Sequence, residues 1–190
     1  MKKTAKSEIG TAFVVFTSLV VAGFLSPMTT ARAQTGLAKE PYPSAPSLAS
    51  GTWVKSQPTT IAAQKGKVTL LAFWTHQCIN CKRTIPYWND WAKKYGGTDV
   101  SVLSVHTPEI PEERKIENVR RFVQTKGIVF PVLTDNDYAS WNAYKVDAWP
   151  TTILIDKQGR IRGRWVGELN YDNSGQYRQV VAAIEALRKE

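Results

Sequence analysis

The sequence predicts an α/β domain, a central mixed β-sheet flanked by helices on both faces, and three observations carry that prediction. Short β-rich apolar runs alternate with longer segments whose apolar residues recur every three or four positions. The last two runs are separated only by turn residues, as in a hairpin. A helix-patterned segment then closes the chain. Strands and helices in that order pack as a sheet covered on both sides.

Residues 67–74, KVTLLAFW, form an apolar run long enough for a buried strand and too short for a separate helix. From Ile79 to Tyr95 the residues Ile85, Trp88, Ala92 and Tyr95 fall on one helical face. Residues 100–105 read as a second buried strand. Residues 111–126 read as a second helix with Ile116, Val119, Phe122 and Val123 inward, stopped by Gly127. Residues 130–133 give a third strand, and a short segment around 138–144 follows. The runs 151–155 and 160–166 flank Asp156-Lys157-Gln158-Gly159, which predicts the hairpin. The last helix spans 177–188, with Val180, Val181, Ile184 and Leu187 on its apolar face.

Ahead of this domain, Lys2, Lys3 and Lys6 precede an apolar run from Ala12 to Leu25 and the small-residue site Ala31-Arg32-Ala33. That is the plan of a secretory signal peptide over 1–33, cleaved near Ala33, because the run is shorter than the roughly 20 residues that span a bilayer. The expected location is therefore periplasmic or secreted. Residues 34–50 hold three prolines and little apolar periodicity, and are expected to be a Pro/Ser/Ala-rich linker to a domain over 51–190.

The chain carries a formal charge of +9, which bears on solubility and association and not on fold. Arg160, Arg162 and Arg164 alternate along a strand. They are expected to form a charged, solvated edge that discourages aggregation, with no nucleic-acid partner.

The two cysteines form the motif Cys78-Ile79-Asn80-Cys81 between a strand end and a helix start. The first helical turn offers free N–H groups and the positive dipole end, which favour a thiolate at Cys78. A thiolate attacks disulfides, and a second sulfur two residues further on can resolve the mixed disulfide. A structural disulfide normally closes a long loop, whereas this pair would close almost nothing. A zinc site lacks a second Cys or His pair, and no C-x-x-C-H haem signature occurs. No cofactor and no metal are expected. Cu(I) binding by the thiolates, completed by His76 or His106, stays open as a copper-binding or delivery role.

The stretch FWTHQCINCKRTIP resembles the active-site segment of thioredoxin-like proteins, with Pro86 in the helix after the motif. Trp149-Pro150-Thr151-Thr152, before ILID and KQGR, is similar to the cis-proline segment of that family. CINC together with SVHTPE, NAYKVDAWPTTILID and GEL resembles the TlpA/ResA-type thiol-disulfide oxidoreductases, and in particular the thioredoxin-like domain of DipZ-type proteins. The resemblance spans residues 51–190 and implies a thioredoxin-like fold. It also implies a substrate groove at Trp149 and Pro150, a disulfide-bearing protein as substrate, and an upstream dithiol electron donor at the membrane feeding a reductant.

Two departures accompany it. Ala72 stands where thioredoxins carry a buried Asp, and Thr84 where ResA-like proteins carry a Glu. His76 and Glu168 are the proton-relay candidates that could replace them. Thr75 matches the T-x-x-C part of the peroxiredoxin motif, while Leu71 occupies the place of that motif's proline. Thiol peroxidase activity stays open as a further alternative.

Overall fold

The computed structural model describes residues 37–190, so the expected signal peptide, 1–33, lies outside the described residues. Six strands form one mixed sheet. They are β1 (Trp53–Val54), β2 (Val68–Trp74), β3 (Val100–His106), β4 (Val132–Thr134), β5 (Thr151–Ile155) and β6 (Ile161–Val166), in spatial order β1-β4-β3-β2-β5-β6. β2 pairs in parallel with β3, and β3 with β4, while β5 runs antiparallel to β2 and β6 antiparallel to β5. This is a thioredoxin-like fold.

Helices α1 (Ile79–Tyr95), α2 (Ile116–Thr125), α3 (Ala139–Ala143) and α4 (Gln176–Arg188) cover the sheet. All seven residues of β2 are buried, because alternate side chains enter different cores. Val68, Leu70, Ala72 and Trp74 join a cluster supplied by α1, α2 and α4. Leu71 and Phe73 join a second cluster with Trp141, Tyr144 and Val146, in and just after α3. On α1 the buried face is Cys81, Thr84, Ile85, Trp88, Trp91 and Tyr95. Trp91 is thus buried where the sequence pattern favoured Ala92, the larger ring taking the better-covered position.

Three features differ from the expectation. The helix read over 111–126 is broken: a 3-10 turn spans Pro111–Arg114, Lys115 is extended, and α2 starts at Ile116. Strand β1, two residues long and paired with β4, carried no period that could reveal it. Finally, of the alternating arginines Arg164 is exposed as expected, but the middle one is not solvated. Arg162 is 5% exposed, its guanidinium held by Asp156 and Glu190.

The described part of the expected linker lies along that same strand. Leu37 and Ser44 form antiparallel bridges to Gly163 and Arg160, and Ile161 N donates to Pro43 O at 2.8 Å. The Tyr42 ring sits 4.1 Å from the Arg162 guanidinium carbon. Gly163 is required here, because a Cβ would stand 2.5 Å from the Trp165 ring.

Candidate active site

Strand β2 delivers the chain to the site and α1 carries it away. After Trp74, which pairs with His106 on β3, the loop 75–77 leads to Cys78 at the N-cap of α1. The Cys78 backbone is extended, with φ −60° and ψ 120°, and its sulfur accepts the Cys81 N–H at 3.2 Å. A sulfur here takes the place of the oxygen that usually caps a helix, and it meets one of the free N–H groups of the first turn.

The two thiols, both reduced, have opposite surroundings. Cys78 is half-buried, and a hydrogen bond from the Cys81 side chain lowers its pKa to about 7 against the opposing effect of burial, with backbone N–H groups of Cys81 and Asn80 adding to the shift. Cys81 is fully buried, and burial pushes its thiol far up, reinforced by the hydrogen bond it donates to Cys78. One sulfur is accessible and easily ionised. The other is sheltered and keeps its proton.

The opposite wall is the loop before β5. The Trp149–Pro150 peptide bond is cis, and the Trp149 carbonyl oxygen lies 3.9 Å from Cys78 Sγ. The Trp149 ring packs on Trp141, 4.3 Å between centroids and tilted by 33°. Helix α1 and β5 are tied together by Trp88, whose indole N–H donates to Thr152 Oγ1 at 3.1 Å. Exposed apolar side chains include Ile79 within the motif and, lining a hollow of about 290 Å³ with Asn80 and Glu168, Val166 and Tyr171.

The two proton-relay candidates, His76 and Glu168, each pair with another side chain. Glu168 faces Arg83 at 3.5 Å across the surface. His76 is buried, its Nδ1 3.0 Å from His106 Nε2 and 3.9 Å from Glu113 Oε1. Burial lowers the pKa of His76 and takes that of His106 down to about 3, so both rings are neutral at ordinary pH. Burial works against ionisation of Glu113, but hydrogen bonds from the Thr75 hydroxyl and from the backbone N–H groups of Glu109, Gln77 and Ile110 outweigh it and hold the carboxylate below its usual range.

Glu109 was not singled out from the sequence, yet its charge raises the pKa of both thiols. The only sequence signal for it was its place in SVHTPE. Glu113 gave no signal at all.

The sequence matches the AhpC/TSA family over residues 44–164, a stretch that contains both cysteines and the Trp149–Pro150 bond. The chain belongs to the AhpC/TSA family. Relatives within reach of this family member include Protein DipZ of Mycobacterium tuberculosis, 38% identical over 117 residues that cover 62% of this chain and 17% of DipZ. The thiol-disulfide oxidoreductase ResA of Geobacillus thermodenitrificans is 34% identical over 113 residues, covering 60% of this chain and 62% of ResA. The chain therefore spans a small part of the DipZ length and less than two thirds of ResA. Among solved structures, a thiol:disulfide interchange protein of the thioredoxin family from Chlorobium tepidum superposes with a TM-score of 0.62 at 26% identity, covering 77% of this chain and 99% of that one.

Proposed function

We propose that this AhpC/TSA family member is an exported thiol-disulfide oxidoreductase that reduces disulfides in protein partners. The observation that carries the reading is the polarised pair: an accessible Cys78 with a pKa of about 7 capping α1, and a buried Cys81 three residues on. The Cys78 thiolate attacks one sulfur of a partner disulfide. A Cys78–partner bond forms, the partner's S–S bond breaks, and the second partner sulfur leaves as thiolate. Cys81, once deprotonated, attacks Cys78 Sγ, releasing the partner as dithiol and leaving Cys78 and Cys81 oxidised. Two electrons have moved to the partner, and an upstream dithiol donor restores the pair.

Trp149 and Pro150 border the attacking sulfur, which suits pairing of the Trp149 carbonyl with an extended segment of the partner. Deprotonation of Cys81 is assigned to Glu109, the carboxylate whose charge bears on both sulfurs, since His76 and Glu168 are engaged elsewhere. The basic N-terminus, apolar run and small-residue site support export to the periplasm or beyond, with cleavage near Ala33. Among the described residues no helix is long and apolar enough to cross a membrane.

The Cys78 pKa of about 7 supports a reductant. Strong oxidants of this type stabilise the thiolate to a pKa of about 3.5, whereas reductants such as thioredoxin stay at about 7. The test is the reduction potential of the Cys78–Cys81 pair, equilibrated against dithiothreitol or glutathione. A value near −270 mV is expected for a reductant, and a value near roughly −120 mV would reverse the direction. Failure to find any reversible dithiol–disulfide couple would overturn the oxidoreductase reading.

A further inference from the structure

We propose that His76, His106 and Glu113 form a binding site for a divalent first-row transition-metal ion of the Zn²⁺ or Co²⁺ class. The proposal does not depend on the thiol chemistry.

The three residues come from three elements: the loop after β2, the end of β3, and the 3-10 turn 111–114. All three are buried, and one ligand atom from each lies within 4.8 Å of the other two. Two imidazoles and one carboxylate, with a fourth position left for water, is the donor set of mononuclear zinc sites. Imidazole with carboxylate also suits neighbouring divalent ions, whereas Cu(I) prefers thiolates.

The distances are close to what an ion needs. Two nitrogens bound at about 2.0–2.1 Å to a tetrahedral ion stand roughly 3.3 Å apart. His76 Nδ1 and His106 Nε2 are 3.0 Å apart, so a slight opening admits the ion between them. Glu113 Oε1, 3.9 Å from His76 Nδ1, closes by a similar small movement. That oxygen already accepts the Gln77 N–H at 2.8 Å, and an ionised carboxylate oxygen keeps a second lone pair. The N–H groups of Glu109 and Ile110 hold the other oxygen, which orients the carboxylate as outer partners of metal ligands do.

The two rings are nearly parallel, their planes 18° apart and their centroids 5.2 Å apart, with Phe122 against His76. Each ring binds neutral, with its proton on the nitrogen turned from the ion. For His106 that nitrogen is Nδ1, which is buried and without a hydrogen-bond partner among the described residues. An open groove of about 400 Å³ between His76, Gln77 and α2 gives the ion its route from solvent.

The experiment titrates Co²⁺ into the full chain and into the Cys78→Ser/Cys81→Ser variant, followed by visible absorption and calorimetry. One equivalent is expected to bind to both, without a thiolate-to-cobalt charge-transfer band. His76→Ala, at the edge of the groove, is expected to weaken binding by more than about 100-fold. Imidazole ¹H–¹⁵N correlations of the unsubstituted protein should show Zn²⁺ shifting the ring nitrogens of both histidines, a readout that needs no variant to fold. Loss of binding with the cysteines, binding unchanged in His76→Ala, unshifted ring nitrogens, or no saturable binding would each overturn the proposal and leave the cluster a hydrogen-bonded staple.

Discussion

The loop 75–77 separates two polar clusters that use the same device to different ends. On one side the Cys81 N–H meets the Cys78 sulfur, and on the other the Gln77 N–H meets the Glu113 carboxylate. In each place backbone N–H groups converge on an anion and favour its ionised form. Cys78 is half-exposed, so the stabilised anion can meet a partner and react. Glu113 has no exposure at all, so its stabilised anion pins the turn 109–113 against the loop before Cys78. Accessibility decides whether a stabilised anion becomes a nucleophile or a fastener.

The largest effect should come from breaking the reactive side. Cys78→Ser is expected to reduce disulfide exchange to the uncatalysed rate, while Cys81→Ser should still complete the first attack and accumulate a mixed disulfide on Cys78. Trapping a partner on Cys81 in the Cys78→Ser variant would invert the two roles.

On the fastening side, Glu113→Gln keeps one carbonyl oxygen but turns an N–H₂ group toward neighbouring N–H donors. Leaving buried donors unpaired costs about 1–3 kcal/mol, which urea unfolding at pH 7 would read. The sign with pH is fixed by the lowered pKa of Glu113 in the folded protein. Its contribution is present above the unfolded carboxyl value of about 4.3 and fades as pH falls through the lower folded value. The two proteins should therefore converge in stability below that range, and a gap that persists in acid would assign the loss to packing instead.

The contrast between the clusters is also a contrast in legibility. Cys78 and Cys81 lie three residues apart in one turn, so the motif, the helix behind it and the polarity of the pair could be read from local sequence. β2, β3 and β5 were legible for the same reason, each being a continuous apolar run bounded by polar residues. His76, His106 and Glu113 are separated by whole elements and meet only because β2 and β3 pair in register at Trp74 and His106. Glu113 also sits just before the unforeseen break at Lys115, where one expected helix became a 3-10 turn and α2. The backbone pairing of residues 37–45 with β6 was illegible too, since this proline-rich stretch pairs through its backbone, the Ala38 and Ala45 N–H groups donating and the Pro43 carbonyl accepting, and leaves no side-chain period.

A smaller effect sharpens the thiol side alone. In the unsubstituted protein the rate of iodoacetamide alkylation of Cys78 should rise with pH to a midpoint at about 7. Cys81→Ala removes the hydrogen bond that contributes most to that value, so the midpoint should move up toward the ordinary cysteine value of about 8.5. An unmoved midpoint would mean that the backbone N–H groups of the first turn suffice.

The smallest expected effect tests the residue that joins the two clusters. Glu109 is fastened through its own N–H to Glu113 Oε2 at 2.6 Å, while its charge raises the pKa of both cysteines. Glu109→Gln removes that charge and should shift the Cys78 midpoint slightly downward, the shift being modest because the side chain is exposed and solvent screens it. If Glu109 acted through its field alone, alkylation near neutral pH and disulfide resolution would both quicken, since each thiolate would form more easily. If it takes the Cys81 proton, alkylation should quicken while resolution of a preformed mixed disulfide slows, because a carboxylate can accept that proton and an amide cannot. Opposite signs in one variant would thus separate a passive charge from a working base, and the same sign in both would remove Glu109 from the mechanism.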